Sequence, residues 1–163
     1  MLDRKISELN ICDLLDIMPH RYPFLLVDKI VEFEIGKRVK GIKNVTINEP
    51  YFTGHFPELP IVPGVMILES MAQVAGTLLL KEAKESGEIA MLIGVDRVKF
   101  RKVVKPGDQM NIQAELIQRK SSFCKFKSNV YVDNSLVAEG ELLIVLYKEE
   151  SIRDLYTSNS DNR

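Results

Sequence analysis

The chain has no tryptophan, only two cysteines and two histidines in 163 residues, and a formal net charge of −1. Each scarcity excludes something. Cys12 and Cys124 have no ligand-like spacing and make neither a disulfide framework nor a zinc site, so both are expected as reduced core or half-buried thiols. A near-neutral charge offers no basic excess for nucleic acid. Asp3, Arg4, Lys5 and Glu8 precede any apolar run, so no secretory leader is expected. The one long apolar run, residues 65–80, is short for a bilayer span and carries Glu69. No membrane span is expected, and the cytoplasm is the default location. The length suits one domain over residues 1–148, with a polar, flexible tail at 149–163.

What is present concentrates in residues 49–80. A loop rich in prolines and aromatics opens the stretch, holding Pro50, Pro57, Pro60 and Pro63 of the chain's seven prolines. Each fixes φ and removes a backbone donor, so the loop is stiff. A stiff loop with a single histidine, His55, suits a side chain that must be aimed. Pro63-Gly64 then reads as a helix start, whose first N–H groups lack intrahelical partners and favour a partly negative oxygen. The helix is apolar almost all round and should be buried on most sides. At about 100° per residue, Glu69, Ser70, Gln73 and Thr77 share one arc, with Glu69 and Gln73 placed to meet at i and i+4. A carboxyl in such surroundings is expected to hold its proton more tightly than usual, as a general acid requires.

Around this stretch, Ile11, Leu14, Leu15 and Met18 mark a short amphipathic helix after Asn10, stopped by Pro19. Strands are predicted at 24–33, 38–45, 89–95, 110–119, 123–132 and 136–147, with hairpin turns at Gly36-Lys37 and Asp133-Asn134. A glycine cap over Glu85-Ser86-Gly87 should end the long helix. One buried helix with about six mainly antiparallel strands implies an α+β domain in which a curved sheet wraps the helix.

Gly54-His55-Phe56-Pro57, Pro63-Gly64-Val65 and Leu68-Glu69-Ser70-Met71-Ala72-Gln73 resemble the R-3-hydroxyacyl-acyl carrier protein dehydratases of bacterial-type fatty acid synthesis, FabZ type. The likeness extends to the His20-Arg21-Tyr22-Pro23-Phe24-Leu25-Leu26-Val27-Asp28 run, to Lys43-Asn44-Val45-Thr46-Ile47-Asn48-Glu49-Pro50, and to Val98-Lys99-Phe100-Arg101 and Lys105-Pro106-Gly107-Asp108. It implies a hot-dog fold and a homo-oligomer, usually a trimer of dimers, whose sheets join. It also implies loss of water from an R-3-hydroxyacyl thioester carried by acyl carrier protein, with a trans-2-enoyl product and no metal or cofactor.

By that resemblance His55 is the catalytic base and Glu69 the acid, brought together across the dimer interface. The Gly64 N–H would hold the thioester oxygen, and Gln73 would orient Glu69. The residues alone also admit blander roles: His55 capping a backbone carbonyl, Glu69 kept as a hydrogen-bonded buried carboxylate, and Gly64 serving only the turn. Tyr51, Phe52, Phe56, Pro57, Ile61, Val62, Val65 and Phe100 suit an acyl tunnel or an ordinary core. Lys99, Arg101, Lys102 and Lys105 form a local basic cluster suited to docking an acidic carrier protein, or simply to a solvated face. The rival readings are a hot-dog acyl thioesterase and a non-catalytic acyl-thioester binding protein.

Overall fold

The computed structural model describes residues 5–6, 8–83 and 87–157. Its elements in order are β1 (Lys5–Ile6), α1 (Ile11–Ile17), β2 (Lys29–Glu34), β3 (Arg38–Asn44), a 3-10 turn (Pro50–Thr53), α2 (Gly64–Glu82), β4 (Glu88–Phe100), β5 (Gln109–Lys120), β6 (Phe123–Val132), β7 (Ser135–Lys148) and α3 (Glu149–Thr157). The seven strands form one antiparallel sheet in the order β1-β2-β3-β5-β6-β7-β4. Helix α2 lies in the curve of this sheet.

The packing follows from the apolar composition of α2. Met71, Val74, Ala75, Leu78 and Leu79 are fully enclosed with Val39, Ile112, Phe126, Leu142 and Ile144 of the strands. Each of these side chains other than Ala75 contributes about 2 kcal/mol by leaving water. Although α2 is long and apolar enough to cross a membrane, it is mostly covered by the sheet. Gly41 on β3 sets the gap, since a Cβ there would meet Val74 Cγ2 at 2.7 Å. Of the polar residues on α2, Ser70 and Thr77 turn their hydroxyls back onto the carbonyls of Met66 and Gln73. That satisfies them within the helix and leaves the Glu69 and Gln73 side chains to find partners beyond the helix backbone.

Local signals held where they were self-contained. Asn10 caps α1 through the N–H groups of Cys12 and Asp13, and Asp13 returns a bond to the Asn10 N–H. Asp133 and Asn134 both take positive φ, 45° and 63°, as a two-residue hairpin turn requires. The departures lie elsewhere. The strand predicted from residue 24 starts only at Lys29, because the backbone at Phe24 and Leu26 bonds to the Gln73 side chain instead. Strand β4 outruns its predicted end, continuing through register shifts and a positive φ at Arg97. Helix α2 ends at Glu82 with Ala83 as its cap. Glu85 and Ser86 of the predicted glycine cap lie outside the described residues, and Gly87, φ 64°, leads into β4. The tail predicted as flexible from residue 149 begins with α3 instead. Cys12 is exposed on α1, whereas Cys124 is buried, and burial pushes its thiol up.

Candidate functional site

His55 sits at the end of the proline-rich loop. The loop folds on itself: the His55 N–H and the Gly54 N–H both donate to the Tyr51 carbonyl, and Phe56 and Leu59 exchange backbone bonds. The imidazole Nδ1 lies 2.9 Å from the Ile61 carbonyl oxygen. A carbonyl can only accept, so Nδ1 carries the hydrogen and Nε2 keeps its lone pair free. The carbonyl-capping role open to this histidine and the basic role are therefore compatible. Phe56 follows through a cis peptide and stacks on the imidazole, with ring centroids 4.1 Å apart.

Gly64 is the first residue of α2, after Pro63. A Cβ at this position would meet the Phe100 ring at 2.9 Å, so the bare glycine lets that aromatic lie over the helix start.

Glu69 is half-buried five residues further along the same helix. Its Oε1 accepts from Gln73 Nε2 at 2.9 Å. The Gln73 side chain is buried and fully committed: Nε2 also donates to the Phe24 carbonyl at 2.7 Å, and Oε1 accepts the Leu26 N–H at 2.8 Å. One amide thus fixes both Glu69 and the chain that crosses above it.

Glu69 opens into a cavity of about 230 Å³ that runs along α2 past Gly76 to Leu80, with Met18, Leu92 and Ile144 among its walls. The eight apolar residues suited to a tunnel by sequence fall elsewhere. Phe52 and Val62 are in the core, Tyr51 and Ile61 are half-buried, and Phe56, Pro57, Val65 and Phe100 are exposed. Among the described residues no hydrogen bond or ion pair joins His55 to Glu69. Arg101 of the basic cluster pairs with Glu139, while Lys99, Lys102 and Lys105 are exposed.

The cavity holds a residue that the pattern of the sequence did not single out. His20 lines it, with Nε2 3.7 Å from Glu69 Oε1 and Nδ1 buried without a hydrogen-bond partner. Arg21 fixes the turn by donating to the carbonyls of Leu15, Met18 and His20, closing the C-terminal end of α1. Burial lowers the imidazole pKa below its ordinary 6.5, Glu69 opposes the shift, and Arg21 reinforces it. The ring is therefore neutral at neutral pH, and its approach to Glu69 is not an ion pair. The signal available in the sequence was its place at the head of the run from His20 to Asp28 that shares the family likeness, with no role attached to it.

A stability consequence follows from that shift. With its pKa depressed in the folded state, His20 takes up a proton less readily there than in the unfolded chain. Its contribution is complete above pH 6.5 and is lost as pH falls from there towards the folded-state value. Replacing it by glutamine should flatten the slope of the urea midpoint against pH in that acid window. An unchanged slope would show that the proton uptake belongs to other groups.

A model of the FabA-like domain matches residues 18–141. The 3-hydroxyacyl-[acyl-carrier-protein] dehydratase FabZ of Caldicellulosiruptor bescii is 55% identical over 137 residues, covering 84% of this chain and 98% of that protein. The protein of the same description from Clostridioides difficile is 45% identical over 141 residues, covering 86% of this chain and 99% of its own. Among solved structures, the dehydratase heterocomplex ApeI:P from Xenorhabdus doucetiae superposes with a TM-score of 0.74 at 20% identity, over 88% of this chain and 96% of that one. A hot-dog-like protein from Thermanaerovibrio acidaminovorans does so at 0.65 and 14%, over 80% and 96%. The fold is the hot-dog fold, an antiparallel sheet around a central helix.

Proposed function

The chain belongs to the FabA-like family, among its FabZ-type hydro-lyases of fatty acid biosynthesis, and on that premise we propose that it dehydrates R-3-hydroxyacyl-acyl carrier protein to the trans-2-enoyl thioester with His55 and Glu69 as its catalytic pair. The observation that carries the assignment of roles is the orientation of His55, with Nδ1 tied to the Ile61 carbonyl and Nε2 left to act. Nε2 takes the proton α to the thioester carbonyl. The charge that develops on the carbonyl oxygen meets the Gly64 N–H at the start of α2, where the helix dipole favours it. Glu69, held by Gln73, delivers a proton to the β-hydroxyl, which leaves as water while the electron pair of the broken C–H bond becomes the new double bond. Solvent exchange then returns both groups to their starting states.

His55 and Glu69 are not bonded to each other within one chain, which supports a site shared by two protomers. Strand β4 supplies the second argument. It ends the sheet, is 13 residues long, and exposes Met91, Ile93 and Val95 in an apolar row. Long, flat, apolar edges invite pairing with another chain, and a second copy placed edge to edge would extend the sheet about a two-fold axis. Further assembly into a trimer of dimers belongs to the same reading. The cavity that opens at Glu69 would take the acyl chain between its apolar walls at Met18, Leu80, Leu92 and Ile144, and exposed Lys99, Lys102 and Lys105, beside Arg101, would receive the acidic carrier protein.

The test is to incubate the protein with a 3-hydroxyacyl-carrier protein and follow enoyl thioester and free thiol together. Enoyl product without thiol is the expected result. Thiol release without enoyl product would assign a thioesterase, and binding with neither would assign a sensor.

A further inference from the structure

The loop that carries His55 is anchored at its start by a charge pair. Lys43, on β3, is only 6% exposed, and its Nζ lies 2.6 Å from Glu49 Oε1 and 3.8 Å from Asp28 Oδ2. The Glu49 side chain is itself 14% exposed. Lysine and glutamate are among the residues least often buried, and removing such charges from water is costly even when they pair. A surface ion pair elsewhere on β3 would hold the strand at no such cost. The position of this one is specific.

Glu49 immediately precedes the 3-10 turn Pro50–Thr53 and is its N-terminal cap residue. Its carbonyl accepts the N–H of Phe52, whose ring is buried in the core. The carbonyl two residues further along, that of Tyr51, receives the N–H of His55 at 2.9 Å. Two hydrogen bonds and one rigid turn therefore connect the buried carboxylate to the imidazole. On the strand side, Asp28 fixes the register beside Lys43 by accepting the Asn44 N–H at 2.6 Å. Burial, with Glu49 adding to it, pushes the Tyr51 phenol far above its ordinary range.

We propose that the Lys43–Glu49 pair is a positioning device for catalysis: it fixes the 3-10 turn against β3 and thereby sets the direction in which His55 presents Nε2. The inference rests on the reading of His55 as the base. It assigns Lys43 and Glu49 to the orientation of that base, without contact with the substrate.

The test combines steady-state kinetics, melting temperature and imidazole NMR on Lys43→Met, Glu49→Gln and the double variant Lys43→Met/Glu49→Leu. The chain holds two histidines, so the His55 resonances are identified by their loss in His55→Ala. Either single change should lower kcat about 10- to 100-fold, with KM within about twofold of wild type. The double apolar variant should regain the wild-type melting temperature, because a buried pair replaced as a unit leaves no buried charge orphaned, and Asp28, more than a third exposed, keeps water and the Asn44 N–H. Its kcat should stay low, and its His55 signals should show a mixture of tautomers in place of the Nδ1–H form. Recovery of kcat along with melting temperature, or His55 signals unchanged in all three variants, would reduce the pair to a stability element and overturn the proposal. Failure of the base reading would look different: His55→Ala would keep its activity whatever the NMR of the Lys43 variants shows.

Discussion

Mixing the His55→Ala protein with the Glu69→Gln protein, after partial unfolding to exchange subunits, should restore about a quarter of wild-type dehydration. Each variant alone should retain about a thousandth or less, the ordinary cost of removing a positioned acid or base. The recovery comes from counting sites. Random reassociation makes about half of the dimers mixed, and each mixed dimer has one site assembled from the two unaltered halves. Its other site carries both substitutions and contributes nothing. If His55 and Glu69 of the same chain acted together, every site in the mixture would lack one of them and no activity would return. The arrangement in the single chain, with His55 bonded to Ile61 and Glu69 to Gln73, favours the first result.

Placing lysine at Ile93 and Val95 of β4 should abolish dehydration to below about a hundredth of wild type and turn the sedimenting species into a monomer. Both side chains are 44% exposed on the edge of the sheet, so neither charge has to enter the core of the protomer. Like charges would face each other across the two-fold axis, and lysine on an edge strand opposes strand pairing. Unchanged circular dichroism with loss of both assembly and activity is the expected combination. A monomer that remains fully active would show that one chain holds a complete site.

Much of this arrangement was legible because its causes are local. Proline at the helix start, the apolar run behind it and the i, i+4 spacing of Glu69 and Gln73 act within one or two turns of chain. The hairpin at Asp133-Asn134 likewise depends on two residues that tolerate positive φ. What was hidden depended on distant partners. Residues 24–28 carry strand-forming side chains, but their backbone groups meet a glutamine 47 and 49 residues away in sequence, and nothing local announces that competition. His20 reaches the cavity only because α1 ends where it does and Arg21 holds the turn. The apolar walls at Gly76, Leu80, Leu92 and Ile144 belong to three elements whose approach is a property of the whole sheet. The helix beyond residue 149 does carry a helical period, Ile152, Leu155 and Tyr156, but it is short and the polar run after it reads as tail.

The Gln73 amide has a direction. Its oxygen is matched to an N–H at Leu26, and its nitrogen to a carbonyl at Phe24. Turned over, it would set donor against donor at Leu26 and acceptor against acceptor at Phe24. The main chain at residues 24–26 therefore reads out the sense of a side chain on another element and passes it on, so that Glu69 always faces a nitrogen and never an oxygen. Glutamate at this position would keep the shape and lose the sign. Polarity, rather than volume, is what the helix asks of this residue.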